Sequence, residues 1–576
     1  MGDHIKANPT RVFTSEPQDF DNAGFSPQYG LRSLRGARNL LTKKTTTGIP
    51  NMHKTVTTKG RTSLNRRSFL GRASALAMTA AVGSAMLASG ARAQTAVKGG
   101  TLKMGLGGGG STDSLDPALA ANPVTFHLMR TLGEQLVDVT PDGQLEMRLA
   151  EEVESDAEAK VWRFKIRQGV TFHNGAVMTP DDVLATLERH SDEDSQSGAL
   201  GIMQGIESMR VDGDWVEVTL TTANADLPYL MADYHLQIQP NGGRDDAAAG
   251  IGAGAYKIVA QEPGVRYTFE KHAEYWDSER GHYDAVEFLV INDATARMAA
   301  LQSGQVHIAN LVEPKVAGLL NRAPTLEVKS VSGRGHYVFV MHTDTAPFDN
   351  ADLRLALKYA VNRAEMVDKI LQGFGTIGND TPINAAYPLF DDSLPQRTFD
   401  IEKAAEHYKA SGHDGSPIVL KVADTAFPGA VDAAALFQQS AAAAGIPLEI
   451  QRVPNDGYWS EVWNKEPFCA SYWGGRPVQD QMYTTAYLST ADWNDTRFTN
   501  AAFDDLLLQA RAELDPAART ATYAQMGAIV HDEGGVIVPM FNDFIEAVSN
   551  DVQGWVADGG GDTMNGLAPH KTWLAS

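Results

Sequence analysis

Between residues 285 and 541 the chain alternates strand-like and helix-like runs, which restricts it to an α/β architecture more firmly than any other feature. Apolar or alternating runs at 285–292, 337–341, 418–422, 448–453, 470–473 and 536–541 read as strands. The stretches at 294–303, 352–359, 363–372, 401–411, 431–444 and 503–512 carry apolar residues at helical spacing. Strands laid side by side with helices over their faces satisfy such a pattern. Upstream, Phe126, Leu128, Met129, Leu132 and Leu136 predict a helix over 124–137, and strict alternation predicts strands at 161–166 and 215–220. Thr179 as N-cap and Pro180 at the first helical position open a helix over 183–190, and strands follow at 256–259 and 266–270.

The first 93 residues are set aside from the fold. Asn65-Arg66-Arg67-Ser68-Phe69-Leu70-Gly71 leads into an Ala-, Gly- and Ser-rich run over 73–88, and Ala91-Arg92-Ala93 offers a small-x-small cleavage site before Gln94. Residues 52–93 therefore read as an export signal whose paired arginines address the pathway for folded cargo. The working protein is expected in the periplasm. Residues 1–51 are polar and aperiodic; they read as the product of a misplaced start codon, with a disordered leader as the alternative.

Residues 1–93 hold 14 of the 49 basic and 4 of the 71 acidic residues, which leaves a formal charge of −32 on the remainder. A field of that sign opposes nucleic acid and anionic lipid surfaces. The roughly 480 residues after Ala93 are too many for one core, so two or three packed units are expected. Cys469 stands alone, so no intramolecular disulfide is possible and burial must hold the chain together. Within Phe468-Cys469-Ala470-Ser471-Tyr472-Trp473 it reads as a small buried thiol rather than a nucleophile. The glycines Gly107 to Gly110 follow a short strand, but no Gly-Lys-Ser/Thr comes after them, and they read as a flexible strand exit rather than a phosphate loop. Strand 536–541 is expected to return to the first half, giving two lobes joined near 337–341 and 536–541 with a cleft between them.

Six runs in this order resemble the peptide/nickel family of extracytoplasmic solute-binding proteins, the receptors of ABC importers. They are Gly99-Gly100-Thr101-Leu102 with Leu115-Asp116-Pro117; Trp162-Arg163-Phe164-Lys165-Ile166 through Val170-Thr171-Phe172-His173-Asn174-Gly175; Thr179-Pro180-Asp181-Asp182-Val183; Gly252-Ala253-Gly254-Ala255-Tyr256-Lys257, where Ala255 replaces the usual proline; Ala300-Leu301-Gln302-Ser303-Gly304-Gln305-Val306-His307-Ile308; and Pro347-Phe348-Asp349 with Arg354 to Arg363. The resemblance implies a type II-like two-lobe α/β periplasmic binding fold. It divides the chain into a first lobe at 97–341 with an inserted subdomain at about 142–250, a second lobe at 342–537, and a return to the first lobe at 538–576. It further implies hinge closure over a ligand at the lobe interface, no catalysis, and delivery to membrane permease subunits.

Peptide-binding members are similar near a Trp-x-Gly-Asp loop whose aspartate pairs with the peptide's α-ammonium. Aligned on Trp473, that position here holds Arg476, which inverts the charge preference of a partly desolvated pocket. A ligand with a carboxylate, phosphate or polar sugar group facing Arg476 is the favoured expectation. Two alternatives stay open: Arg476 points to solvent or pairs with Asp480, or a gapped alignment puts Asp480 in the ammonium role and restores a peptide or opine-like ligand. Further candidate wall residues are Asn122 and Thr125 at the start of the first helix, Tyr337 and His342 at the crossover, and Asn379. Tyr458, Trp459, Trp473 and Tyr483 are candidate aromatic walls. No cofactor is implied: His407, His413 and His531 lack metal-ligand spacing, and no Gly-x-Ser-x-Gly, His-Glu-x-x-His or Walker lysine appears. A secreted α/β hydrolase and a ligand-sensing receptor subunit are the alternatives to a monomeric importer receptor.

Overall fold

A computed structural model describes residues 96–192, 196–454, 458–491 and 493–575, without the side chains of Trp459 and Ser460. The export-signal and leader readings lie outside the described residues. One compact unit runs from Gly90 to Ser576.

Its frame is an 11-stranded sheet. Strands β1 (Thr101–Leu106), β2 (Ala150–Ser155), β3 (Val161–Ile166), β4 (Ile206–Asp212), β5 (Trp215–Leu220), β6 (Tyr256–Glu262), β7 (Arg266–Lys271), β8 (Ala285–Val290) and β9 (Ile308–Ala309) belong to the first half of the chain. Strands β10 (Leu326–Met341), β11 (Gly375–Ile377), β12 (Ile418–Val422), β13 (Leu448–Arg452), β14 (Phe468–Trp473) and β15 (Val536–Ser549) follow. The main sheet runs β13-β12-β14-β10-β15-β9-β1-β8-β7-β6, with β11 on β15. Strands β2, β3, β5 and β4 form a separate four-stranded sheet with its own apolar core around Trp162, Phe164, Phe172 and Val218.

Two strands hold the large sheet together. β10 has 16 residues and β15 has 14, and they pair antiparallel from Leu326↔Ser549 to Val340↔Val536. Towards one end β15 pairs with β9 through Ala547 and Val548, while towards the other β10 pairs with β14 from His336 to Met341. The register slips between Ser332 and His336, where Gly333-Arg334-Gly335 interrupts the ladder. Sheet continuity thus passes through a short seam made of residues 332–336 and 541–543.

The mixed α/β expectation agrees with this fold, and the strands expected at 161–166, 215–220 and 418–422 form with those bounds. Helix α1 (Pro123–Leu132) stops short of the expected Val137 because the chain turns away at Gly133, and Val137 pairs with Met147 in a two-stranded ribbon. Helix α2 (Pro180–Ser191) opens as expected: Asp182 accepts from the Thr179 backbone N–H at 2.8 Å in a capping box. The second half adds α3 (Gln479–Ala486), α4 (Ala501–Ala512) and α5 (Pro516–Glu533); only α4 was expected, at 503–512, and α3 lies where the sequence was read as a loop. Cys469 is fully buried, and burial pushes its thiol well above the usual range, as the sequence reading required of an unreactive core thiol.

Candidate functional site

Strand direction points to a candidate site. β1, β8 and β9 are mutually parallel or share β1 as parallel partner, so Leu106, Val290 and Ala309 end at one edge. Because β15 is antiparallel to β9, its residues before Ala547 continue beyond that edge towards the seam. In the second half β14 is antiparallel to β10 with Trp473 opposite His336, and β12 is parallel to both β13 and β14. The carboxyl ends Val422 and Trp473 therefore face the same seam from the other side. Loops at carboxyl ends of strands in open α/β sheets are where ligands bind. Here Gly107 to Gly110 leave β1 in the direction of the seam from the first half; the segments after Val422 and Trp473 leave their strands towards it from the second.

Three sequence-selected residues stand at this seam. Trp473 is buried in a cluster with Trp463 and Trp493, at centroid distances of 6.4 and 6.1 Å. Tyr337 is half-buried and lies flat on Phe427, centroids 4.4 Å apart and planes within 6°. Arg476 projects its guanidinium over Trp473 at 5.8 Å, donates to the Gly475 carbonyl at 2.7 Å, and its backbone N–H donates to the Tyr387 hydroxyl at 3.1 Å.

Others serve local structure. Asn122 caps α1: its side chain accepts from the Thr125 N–H at 3.0 Å and donates to Asp113 at 2.8 Å. The Thr125 hydroxyl accepts from the Asn122 N–H at 3.0 Å, completing the box. Tyr458 is buried, its hydroxyl donating to the Ala470 carbonyl at 2.7 Å. Asp480 pairs with Arg511 at 2.6 Å, so it neither meets Arg476 in an ion pair nor offers a free carboxylate. His342 follows the far end of β10, six residues or roughly 20 Å from His336 at ordinary strand rise. The Trp459 side chain lies outside the described residues.

Asn379 and Tyr483 come together in a cavity of about 400 Å³ with Thr381, Asn384, Gln479 and Tyr523. The Asn379 side chain accepts from the Arg397 N–H at 2.7 Å, and Tyr483 is buried edge-on to Phe503. This cavity adjoins the seam: the Asn384 amide donates to the Gly333 carbonyl at 2.8 Å, and Phe541 lines it.

Sequence reading missed Arg334, His336 and Tyr387. Arg334 sits in the seam, its Nε donating to the Ala386 carbonyl at 2.9 Å and its guanidinium 5.4 Å from the Tyr387 ring centre. Gly475 lies directly against it: φ is +77°, and a Cβ there would stand 3.0 Å from the Arg334 carbonyl carbon, so only glycine fits. Burial holds the Tyr387 hydroxyl up at about 12, against the pull of Arg334 and Arg476. His336 is held down at about 4, by burial first and then by the Arg476 charge.

Residues 144–495, more than half of the chain, match the profile of the bacterial extracellular solute-binding proteins, family 5, middle region. The chain belongs to this family. It is 25% identical over 423 residues to the di/tripeptide-binding protein 1 of Pseudomonas aeruginosa, covering 67% of this chain and 78% of that one. It is 23% identical over 467 residues to the glutathione-binding protein GsiB of Shigella boydii, covering 78% and 91%. Among solved structures HbpA2 of Haemophilus parasuis superposes with a TM-score of 0.74 at 20% identity, over 83% of this chain and all of that one. As a family 5 solute-binding protein of an ABC importer the chain binds and releases without chemistry, and its place is extracytoplasmic. Among the described residues no helix is long and apolar enough to cross a membrane.

Proposed function

We propose that this solute-binding protein captures a small polar organic solute in the cleft at the seam and delivers it to the permease subunits of its importer. The solute is peptide-like, opine-like, anionic or sugar-containing. The orientation of the strand ends carries this reading: Leu106, Val290 and Ala309 from one half and Val422 and Trp473 from the other converge on a seam crossed by β10 and β15. Hinging at the interrupted ladder around Gly333-Arg334-Gly335 would close the halves on a guest and exclude water. In this reading 97–341, with the subdomain at about 142–250, moves against 342–537, opening of the halves parting the Asp226–Arg519 contact that bridges them, and 538–576 returns to the first half. Trp473, Tyr337 and Arg476 form the wall of the cleft, and the Asn379–Tyr483 cavity accepts a distal group of the solute. The di/tripeptide and glutathione ligands named for the relatives support a solute of that size. The protein works as a monomer in the periplasm after twin-arginine export.

Mass spectrometry of the protein purified from its own periplasm should detect a stoichiometric small organic molecule. Adding that compound back to stripped protein should raise the melting temperature progressively with its concentration, the folded state gaining RT ln(1 + [L]/Kd), about 2.7 kcal/mol at one hundred times Kd. A preparation that neither carries nor is stabilised by any solute counts against the reading.

A further inference from the structure

Resting on the solute-binding reading, we propose that Arg334 and Arg476 form a two-guanidinium cradle that selects a solute by an oxyanion, a carboxylate or phosphate, rather than by an ammonium group. Both arginines meet Tyr387: one lies by its ring, and the other's backbone bonds its hydroxyl. They come from different parts of the chain, Arg334 from the interrupted hinge strand and Arg476 from the loop after β14, and Gly475 lets the two segments touch.

Among the described residues no carboxylate lies within ion-pair distance of Arg334; its one hydrogen bond goes to a neutral carbonyl. Asp558, whose charge reaches it, spends its Oδ1 on the Gly560 N–H at 2.9 Å. Burial disfavours the charged form of Arg334, as expected of a guanidinium taken from water without a counter-ion. Across a chain with a large acidic excess, most buried arginines do have such partners: Arg130 with Asp138 at 2.9 Å, Arg148 with Glu134 at 2.9 Å, Arg363 with Asp380 at 2.7 Å. Arg334, which is half-buried, departs from that pattern at the place where the guest is expected; the buried Arg297 and Arg354 likewise bond only carbonyls. The Arg334 fork spends only its Nε on a described residue, and a planar fork is suited to a bidentate oxyanion. No carboxylate among those described at the cradle matches the ammonium-binding aspartate of the peptide-binding pattern, since Asp480 is engaged by Arg511.

The test is a thermal-shift screen of wild type, Arg334→Gln, Arg334→Lys and Arg476→Gln against one solute library sorted into anionic, zwitterionic, neutral and cationic members, with calorimetry on the hits. Wild-type hits should carry a carboxylate or phosphate, and amidation or esterification of that group should abolish the shift. Each Gln variant should weaken those hits about 10–100-fold, the span of a lost charge-assisted hydrogen bond, and Arg334→Lys should recover part of it. Wild-type hits confined to neutral or cationic solutes, or anionic hits held equally well by the Gln variants, would overturn the cradle and leave solute binding standing. A wild-type protein that binds no member of any class would overturn the binding reading and the cradle with it.

Discussion

Replacing Arg519 with methionine should cost the protein about 3–5 kcal/mol, the usual loss when one member of a buried ion pair is removed. Arg519 on α5 pairs with Asp226 of the four-stranded-sheet unit at 2.9 Å, and both side chains are 5% exposed. The Tyr523 hydroxyl donates to the other Asp226 oxygen at 3.0 Å, and the Ala225 N–H donates to the Arg511 carbonyl at 2.7 Å. Val478, from the loop before α3, packs into the apolar core of that same unit. The contact is therefore dry, and methionine would leave the Asp226 carboxylate there with the Tyr523 hydroxyl and only the more distant charge of Arg511. Adding Asp226→Asn should recover most of the loss, because no charge then remains buried alone. Calorimetric unfolding of the three proteins saturated with the co-purifying solute, which holds the halves together, checks this; a loss below about 1 kcal/mol for Arg519→Met would show a solvated interface, where ion pairs are worth little.

Glu546→Gln should make the protein more stable, and increasingly so as pH rises. Glu546 on β15 is 1% exposed; one oxygen accepts from the Thr563 N–H at 2.8 Å, and the other has no partner among the described residues. Burial, reinforced by Asp562, raises the carboxyl from 4.5 to about 8, so the folded protein keeps the proton at neutral pH. A carboxyl raised on folding gives stability that is fully present below the unfolded value and is lost as pH climbs through the folded one. Glutamine matches the protonated form, so variant and wild type should agree near pH 4. The gap should open by about 1.4 kcal/mol per pH unit from roughly 4.5 and level off above 8, reaching about 5 kcal/mol. Urea denaturation between pH 4 and 9 measures it, and parallel curves would show that Glu546 is ionised in the folded state.

Strands such as β3 and β5 were legible because their alternation is clean, whereas β2, β4, β9 and β11 were not read from the sequence. Helix α5 was not, although its buried positions Arg519, Thr522, Tyr523, Met526 and Val530 follow helical spacing, because the buried stripe begins with an arginine and a threonine. The first part of β10 was missed for a related reason: Lys329, Ser330, Ser332 and Arg334 read as loop, yet they pair across to β15 or sit in the seam. Family resemblance singled out Trp473 and Arg476, which stand at the seam. It could not find Arg334, whose partner Tyr387 is 53 residues away, nor the engagement of Asp480 by Arg511, 31 residues downstream on another helix. Capping by Asn122 and Thr125 was readable from sequence as a helix start, and that local duty accounts for both side chains without a ligand.

Small-angle X-ray scattering of stripped protein, with and without the co-purifying solute, addresses hinged capture most directly. Saturation should shrink the radius of gyration as the halves close over the seam around Gly333-Arg334-Gly335. An unchanged radius under saturating solute, with binding verified by calorimetry in the same buffer, would contradict it.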